Sequence, residues 1–332
     1  MTSTMDASKA WPITLADIES ARDRISSYIS PTPFRRYSQL SALIGAGVDV
    51  YVKHENHQPT NSFKIRNGLS FMTALSDEER RRGVVAASTG NHGQGIAYGG
   101  SLLDVDTVVC VPAGNNPDKN ATMRALGATV VEEGRDYDEA VSVMLRIAHR
   151  DGRVVAHSTN DPRIVAGAGT MTLEILEQEP ELDALIIAVG GGSQAVGALT
   201  VARAFSSNAA VYGVQAAGAS AIHDSWHARQ RLTAARADTF AEGVATRSTY
   251  DLTFPTLLAG LADFVTVTDA EIAESLRVIL SVTHNLVEGA GAMGFAALPK
   301  LRDQLAGQRV GIIFCGGNLD MGTLQRILNR EL

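Results

Sequence analysis

The sequence predicts an α/β protein with parallel-rich sheets flanked by helices. Two observations carry this. Short β-branched runs alternate with longer stretches whose apolar residues recur at helical spacing. Three of the β-branched runs end in glycine-rich or polar segments, and open parallel sheets bind ligands beyond their strands' carboxyl ends. The chain of 332 residues is long enough for two packed lobes.

The expected strands, in order, are VDVYVKHE (48–55), GVVAAS (83–88), TVVCV (107–111), TVVEE (129–133), RVVAHS (153–158), ALIIAV (184–189), AVYGVQ (210–215), DFVTVT (263–268) and RVGIIF (309–314). Between them, YDEAVSVMLRIAHR (137–150) and TDAEIAESLRVILSVTH (268–284) read as amphipathic helices. The second opens on Thr268 with Glu271 three residues later, the spacing of a capping box. No internal repeat or low-complexity segment interrupts the pattern.

Composition excludes several classes. Hydrophobic residues make up 45% and charged residues 20%, as in ordinary globular proteins. A net charge of −7 offers no basic field for nucleic acid. No apolar run has the length of a membrane span, and the N-terminus (MTSTMDASKAWP) has no signal-peptide core. The two cysteines lack metal-ligand spacing and form no disulfide framework. Cys110, inside TVVCV, reads as a small core residue. A cytoplasmic protein is expected.

The segments after the strands bear on function. GGGS (190–193) follows an apolar strand and opens a helix. Its glycines let backbone approach a ligand, and a helix N-terminus offers free N–H groups, so it suits a phosphate monoester. A plain strand–helix turn has the same appearance. STGNHGQG (88–95) can hold a carboxylate in the same manner, with Ser88 and Thr89 hydroxyls nearby. Asn91 can bond a phenolic or carbonyl oxygen. His92 is either catalytic or satisfied by backbone. CGGN (315–318) places a weak thiol donor at a strand end.

Lys64 gives these parts a common purpose. It stands in TNSFKIRN (60–67), beside Phe63 and at the start of an apolar helix. An amine, a phosphate cup, a carboxylate cup and a small polar group are what pyridoxal phosphate requires. The lysine forms a Schiff base and the protein orients and tunes the ring.

Several motifs in order resemble one family. KHENHQPTNSFKIRN (53–67) looks like the lysine motif of the threonine/serine dehydratases. These are fold-type II pyridoxal-phosphate enzymes related to the tryptophan synthase β chain, and the group includes serine racemase and hydroxyaspartate dehydratases. SPTPF (30–34), STGNHGQG, NDPRIVAGAGT (160–170), GGGS, FAEGVA (240–245) and CGGN resemble further family elements in the same order. The resemblance runs from about residue 15 to the C-terminus.

It implies a two-lobed fold, with a large cofactor-binding domain at 1–68 and 158–332 and a small domain at 69–157. It implies pyridoxal phosphate bound through Lys64, with Phe63 near the ring and Asn91 on its 3′-oxygen. Gly190, Gly191, Gly192 and Ser193 hold the phosphate, and Cys315 faces the ring nitrogen. Ser88, Thr89, Asn91 and His92 hold the substrate, chiefly through the loop's backbone. Lys64 then takes the α-proton. Loss of water from a β-hydroxy amino acid (threonine, serine or 3-hydroxyaspartate) yields a keto acid and ammonia. A neutral partner at the ring nitrogen suits elimination better than transamination. The resemblance also implies a homodimer or homotetramer, as most relatives are.

The sequence also departs from the family. Asn61 and Asn67 replace glycines of the lysine motif, and Asn tolerates left-handed turns. Ser193 replaces a fourth glycine, and Cys315 a serine. Thr89 stands where racemases of the group carry a serine base, so amino-acid racemisation is the alternative function. Gln215 replaces a metal-binding carboxylate, so no Mg²⁺ or Ca²⁺ site is expected there, and His223 and His227 read as surface residues. No regulatory domain is expected after CGGN. A second substrate carboxylate calls for a cation, with Arg135, Arg163 and Arg247 as candidates.

Overall fold

A computed structural model describes residues 11–205 and 209–332. The N-terminal stretch read for a signal peptide lies almost wholly outside them. Strand and helix alternate through the chain. In order they are α1 (Leu15–Ile25), β1 (Phe34–Arg36), α2 (Ser38–Ile44), β2 (Asp49–Lys53), α3 (Lys64–Thr73), α4 (Asp77–Arg82), β3 (Val84–Ala87) and α5 (Asn91–Leu102). Then come β4 (Thr107–Val111), α6 (Pro117–Ala125), β5 (Thr129–Glu132), α7 (Tyr137–Asp151), β6 (Val154–Val155), α8 (Pro162–Gln178), β7 (Ala184–Ala188) and α9 (Ser193–Ala204). The chain closes with β8 (Ala210–Ala216), α10 (Ala221–Ala228), α11 (Phe254–Gly260), β9 (Asp263–Val267), α12 (Asp269–Thr283), α13 (Gly289–Leu301), β10 (Arg309–Ile313) and α14 (Met321–Leu328).

The strands form two sheets. One has six strands in the order β1-β2-β10-β7-β8-β9, and the other has four in the order β5-β4-β3-β6. All pairings are parallel except β1 with β2, which is antiparallel in the register Phe34↔Lys53. The α/β expectation therefore holds, with β1 as an edge strand that three residues of sequence did not signal.

Both faces of the four-stranded sheet are covered, which is why β3 and β4 read as continuous apolar runs. Successive residues point to opposite faces. Val85, Ala87 and Cys110 pack against Val143, Met144 and Ile147 of α7. Val84 and Ala86 turn the other way, onto Phe71, Met72 and Ile96. Full burial of such an aliphatic side chain contributes about 1.5–3 kcal/mol. Cys110 is thus a core residue, and burial pushes its thiol up to about 11. The Thr268–Glu271 capping box forms as expected at the start of α12.

Two strands end early. RVVAHS yields only Val154–Val155, because the His157 ring accepts N–H groups from Thr159 at 3.0 Å and Asn160 at 2.9 Å and turns the chain. VDVYVKHE stops at Lys53, and Glu55–His57 form a short 3₁₀ turn. The turn carries Glu55 into a buried ionic group. Arg66 donates to Glu55 at 2.8 and 2.9 Å and to Glu174 at 2.6 and 2.8 Å, and Lys53 donates to Glu174 at 2.6 Å. Burial alone would raise the Glu55 carboxyl, but the guanidinium beside it holds it below its ordinary range. Two cations and two anions balance, so none is buried without a counter-charge. The group ties α3 to α8 and to the segment after β2.

Candidate active site

A cleft of about 1340 Å³ is lined by the segments that follow β3, β4, β7 and β10. All eleven residues expected at the site line it: Phe63, Lys64, Ser88, Thr89, Asn91, His92, Gly190, Gly191, Gly192, Ser193 and Cys315.

Backbone hydrogen bonds bring Lys64 and Cys315 together. The Phe63 N–H donates to the Cys315 carbonyl at 3.0 Å, Gly317 N–H to the Asn61 carbonyl at 2.8 Å, and Ser62 pairs with Gly316 as an isolated antiparallel bridge. Asn61 takes a left-handed φ of 52° in this turn, as an Asn replacing Gly can. Asn67 corrects the turn expectation. It lies inside α3, where no left-handed backbone is needed, and it is fully buried with neither side-chain polar atom partnered.

The Lys64 ammonium lies 4.9 Å from the centre of the Phe63 ring. Burial lowers its pKa to about 8. Roughly a fifth of this amine is therefore neutral, and nucleophilic, near physiological pH, far more than for an ordinary lysine.

Four helices begin at the cleft with no side-chain cap: α3, α5, α9 and α13. Their first N–H groups have no acceptor within the helix, and their dipoles favour an anion at this end. Of the other helices, α1, α4, α6, α7, α8, α12 and α14 are each capped by a Thr, Ser, Asn or Asp, while α2, α10 and α11 also lack a side-chain cap. The α9 end is framed by glycine. Gly192 has φ 94°, and a Cβ on Gly191 would lie 2.0 Å from the Thr159 hydroxyl oxygen. The Thr253 hydroxyl donates to the Gly191 carbonyl at 2.6 Å, so that carbonyl is bonded away from the helix end.

At the α5 end, Ser88 works within its own loop. Its hydroxyl oxygen accepts from Gly90 N–H at 3.1 Å and Gly93 N–H at 2.9 Å. His92 faces away from any ligand role. Its Nε2 bonds the Ala156 carbonyl at 2.9 Å, and burial lowers its pKa to about 3, so it stays neutral. Asn91 is gripped at both ends: its amide donates to Glu288 at 2.7 Å, and its carbonyl accepts from Asn318 at 2.7 Å. Burial raises the Glu288 carboxyl, and its bond from Asn91 opposes that rise. Burial also pushes the Cys315 thiol well above its usual range, so it is a neutral group at the end of β10.

Glu288, Asn318 and Lys119 line the cleft without having been singled out in the sequence. Asn318 closes the CGGN motif, which was the one available signal. Glu288 stands in an ordinary VEGAG stretch. Of the three arginines, Arg135 and Arg247 reach the rim. Arg163 does not: it is engaged by Asp161 and Glu79 and stacks 4.2 Å above the Phe71 ring. Gln215 is engaged too, accepting from His223 N–H at 3.0 Å and donating to Thr246 at 3.4 Å. Among the described residues no group of three or more His, Cys, Asp or Glu side chains could hold a metal, and no helix is long and apolar enough to cross a membrane.

Comparison with known proteins matches residues 25–316 to the family model "Pyridoxal-phosphate dependent enzyme". The L-threonine ammonia-lyase of Thermotoga maritima is 36% identical over 320 residues, covering 96% of this chain and 79% of that one. The L-threo-3-hydroxyaspartate ammonia-lyase of a Pseudomonas species is 35% identical over 305 residues, covering 92% and 95%. The solved structure of maize serine racemase superposes with a TM-score of 0.91 at 27% identity, covering 97% of this chain and 98% of that one.

Proposed function

The chain belongs to the pyridoxal-phosphate dependent enzymes, and on that premise we propose that Lys64 is the amine on which its dehydratase reaction turns. The protein is a pyridoxal-phosphate-dependent lyase that removes water and ammonia from a β-hydroxy amino acid. Threonine, serine and 3-hydroxyaspartate are the substrates proposed.

The cleft fits the cofactor. The uncapped, glycine-framed end of α9 suits a phosphate, and the neutral Cys315 thiol suits a ring nitrogen. Lys64 would carry the covalent link. Gly190–Gly192 and Ser193 would hold the phosphate, Asn91 the ring oxygen, and Phe63 would pack beside the ring. When bound, pyridoxal phosphate supplies a sink for the electron pair left at the substrate α-carbon.

The protein's own groups do the rest. The amide ends of α5, with Ser88, Thr89, Asn91 and His92 in the loop, hold the substrate carboxylate and so orient the α-hydrogen. The His92 contribution is through backbone, since its ring is turned to Ala156. Lys64 takes the α-proton; its lowered pKa makes it a base at neutral pH. Cys315, as a neutral group, adds no positive charge at the ring nitrogen, which favours elimination. We infer that the four-stranded sheet with its helices, over about 69–157, moves as a small lobe against the remainder.

The observation carrying the reading is a half-buried, low-pKa Lys64 in one cleft with the bare end of α9. Borohydride treatment of the loaded protein followed by peptide mapping tests it. Cofactor mass on the Lys64 peptide supports the reading, and mass on any other lysine sinks it. Thr89 lines the cleft and supports a second activity, racemisation, with Thr89 as a base. Thr89→Ala then removes racemisation and spares ammonia release; racemisation that survives the change rules that role out.

We place the enzyme in the cytoplasm, because Cys110 and Cys315 are both free thiols. A homodimer or homotetramer is proposed for its assembly. Apolar surface on α14, with Met321 74% exposed, supports it, and sedimentation of the loaded protein as a monomer would exclude it.

A further inference from the structure

We propose that Lys119 reads a second carboxylate on the substrate, and that Glu242 occupies that place until the substrate arrives. The proposal rests on the dehydratase reading of the cleft and narrows it to dicarboxylic hydroxy amino acids.

The cleft is lined by Lys64, Lys119, Arg135, Arg236 and Arg247 among its cations. Lys64 is committed to the chemistry. Arg135 is paired with Glu139, and its side chain is 90% exposed. Arg236 is exposed. Arg247 is paired with Asp138, both at the solvent-facing rim. Lys119 differs from all of these: its side chain is only 15% exposed.

Its position is equally specific. A Cβ built on Gly90 would lie 3.4, 3.8 and 3.9 Å from Lys119 Cδ, Cε and Nζ. Gly90 is the residue from which α5 starts, in the loop proposed to hold the α-carboxylate. The stem of Lys119 therefore lies along that loop and delivers its ammonium next to it. A C4 amino acid held there by its α-carboxylate has a distal carboxylate two carbons further on, within reach of the same ammonium.

The present partner of Lys119 is itself a carboxylate. Glu242 forms an ion pair with it across the cleft mouth. Lys119 belongs to α6, beside the four-stranded sheet; Glu242 belongs to a short 3₁₀ turn, Glu242–Val244. The Glu242 side chain is 54% exposed. Such half-exposed pairs contribute little and can be exchanged cheaply. Glu242 can turn to solvent while the less exposed Lys119 ammonium keeps an anion. Replacing Glu242 by a substrate carboxylate keeps Lys119 paired and leaves the displaced, half-exposed Glu242 carboxylate to water. A monocarboxylic substrate gains nothing from Lys119 and leaves the pair intact. This asymmetry is how a site comes to prefer a substrate carrying the extra group.

A purely structural role makes a different forecast. If the pair only braces the two sides of the cleft, its loss affects every substrate alike. The test uses the cofactor-loaded full chain, with ammonia release from 3-hydroxyaspartate (both diastereomers) and from serine. We expect Lys119→Met to lower the ratio of kcat/KM for hydroxyaspartate over serine at least tenfold, chiefly through KM. Lys119→Arg restores much of it, and Glu242→Gln raises it severalfold by removing the competing carboxylate. An unchanged ratio in Lys119→Met overturns the proposal. Calorimetric binding of succinate to the same proteins needs no turnover. Succinate affinity falling at least tenfold in Lys119→Met supports the proposal even if no hydroxy amino acid is turned over, in which case the dehydratase reading alone fails. Equal succinate affinity in both proteins overturns it.

Discussion

Gly68 and Gly95 meet backbone to backbone: a Cβ on Gly68 would lie 2.2 Å from the Gly95 carbonyl oxygen, and one on Gly95 2.4 Å from the Lys64 carbonyl oxygen. The contact locks α3, which starts at Lys64, against α5, which starts at Asn91. It sets the distance between the reactive amine and the carboxylate loop. Gly68→Ala must push the helices apart. We expect a loss of roughly 3 kcal/mol or more, since even one excess methyl costs 1–3 in a packed core. A shift of the urea midpoint checks it, with a parallel loss of activity in whatever fraction stays folded.

Arg66 is two residues from Lys64 and fully enclosed by Glu55 and Glu174. Arg66→Met strands two buried carboxylates near Lys53 alone. Breaking such a group costs about 3–5 kcal/mol. Thermal unfolding is the readout, and adding Glu55→Gln is expected to recover part of the loss. A change below about 1 kcal/mol, the range of exposed pairs, would mean that the group adds little to the fold.

The lowered Lys64 pKa sets the pH dependence of cofactor attachment. Only the neutral amine attacks a carbonyl. Attachment to the cofactor-free protein should accelerate as pH rises and level off above about 8, not above the ordinary 10.5. Stopped-flow absorbance of the Lys64-linked cofactor measures this. A rate still climbing steeply at pH 10 would mean an unperturbed lysine.

Two buried histidines lower stability in acid. Burial depresses His92 to about 3 and His54 to about 4, both from 6.5. Below pH 6.5 the unfolded chain binds protons at these sites that the folded chain refuses. Stability therefore rises with pH across that window and falls as the pH drops, by about 2 kcal/mol per histidine at pH 5. Above about pH 8 neither contributes an appreciable slope. Denaturation midpoints at pH 5 and 7 check it, and His92→Gln should flatten the difference.

Much of the site was legible because its parts are short and sequence-local. A strand followed by GGGS or STGNHGQG suits a ligand loop but also a plain turn, and it was the series of motifs in order that singled these loops out. What joins the parts was not legible. Glu288 lies 197 residues from the Asn91 it holds, and nothing in VEGAG distinguishes it from a surface acid. Arg163 looked as eligible as Arg135, because only packing on Phe71 and pairing with Asp161 withdraw it from the cleft. The short strand at 154–155 has the same cause, a side chain bonding backbone against the apolar pattern. Lys119 was passed over because a lone lysine early in a helix reads as solvated. It lies beside Gly90 and pairs with Glu242, 123 residues further along the chain.

The most direct measurement is ammonia release by the pyridoxal-phosphate-loaded protein, with serine, threonine and both 3-hydroxyaspartate diastereomers, beside Lys64→Ala. Release from at least one substrate is expected, strongest with a hydroxyaspartate, with its loss in Lys64→Ala. No release from any of them, with the cofactor attached at Lys64, would contradict the dehydratase reading.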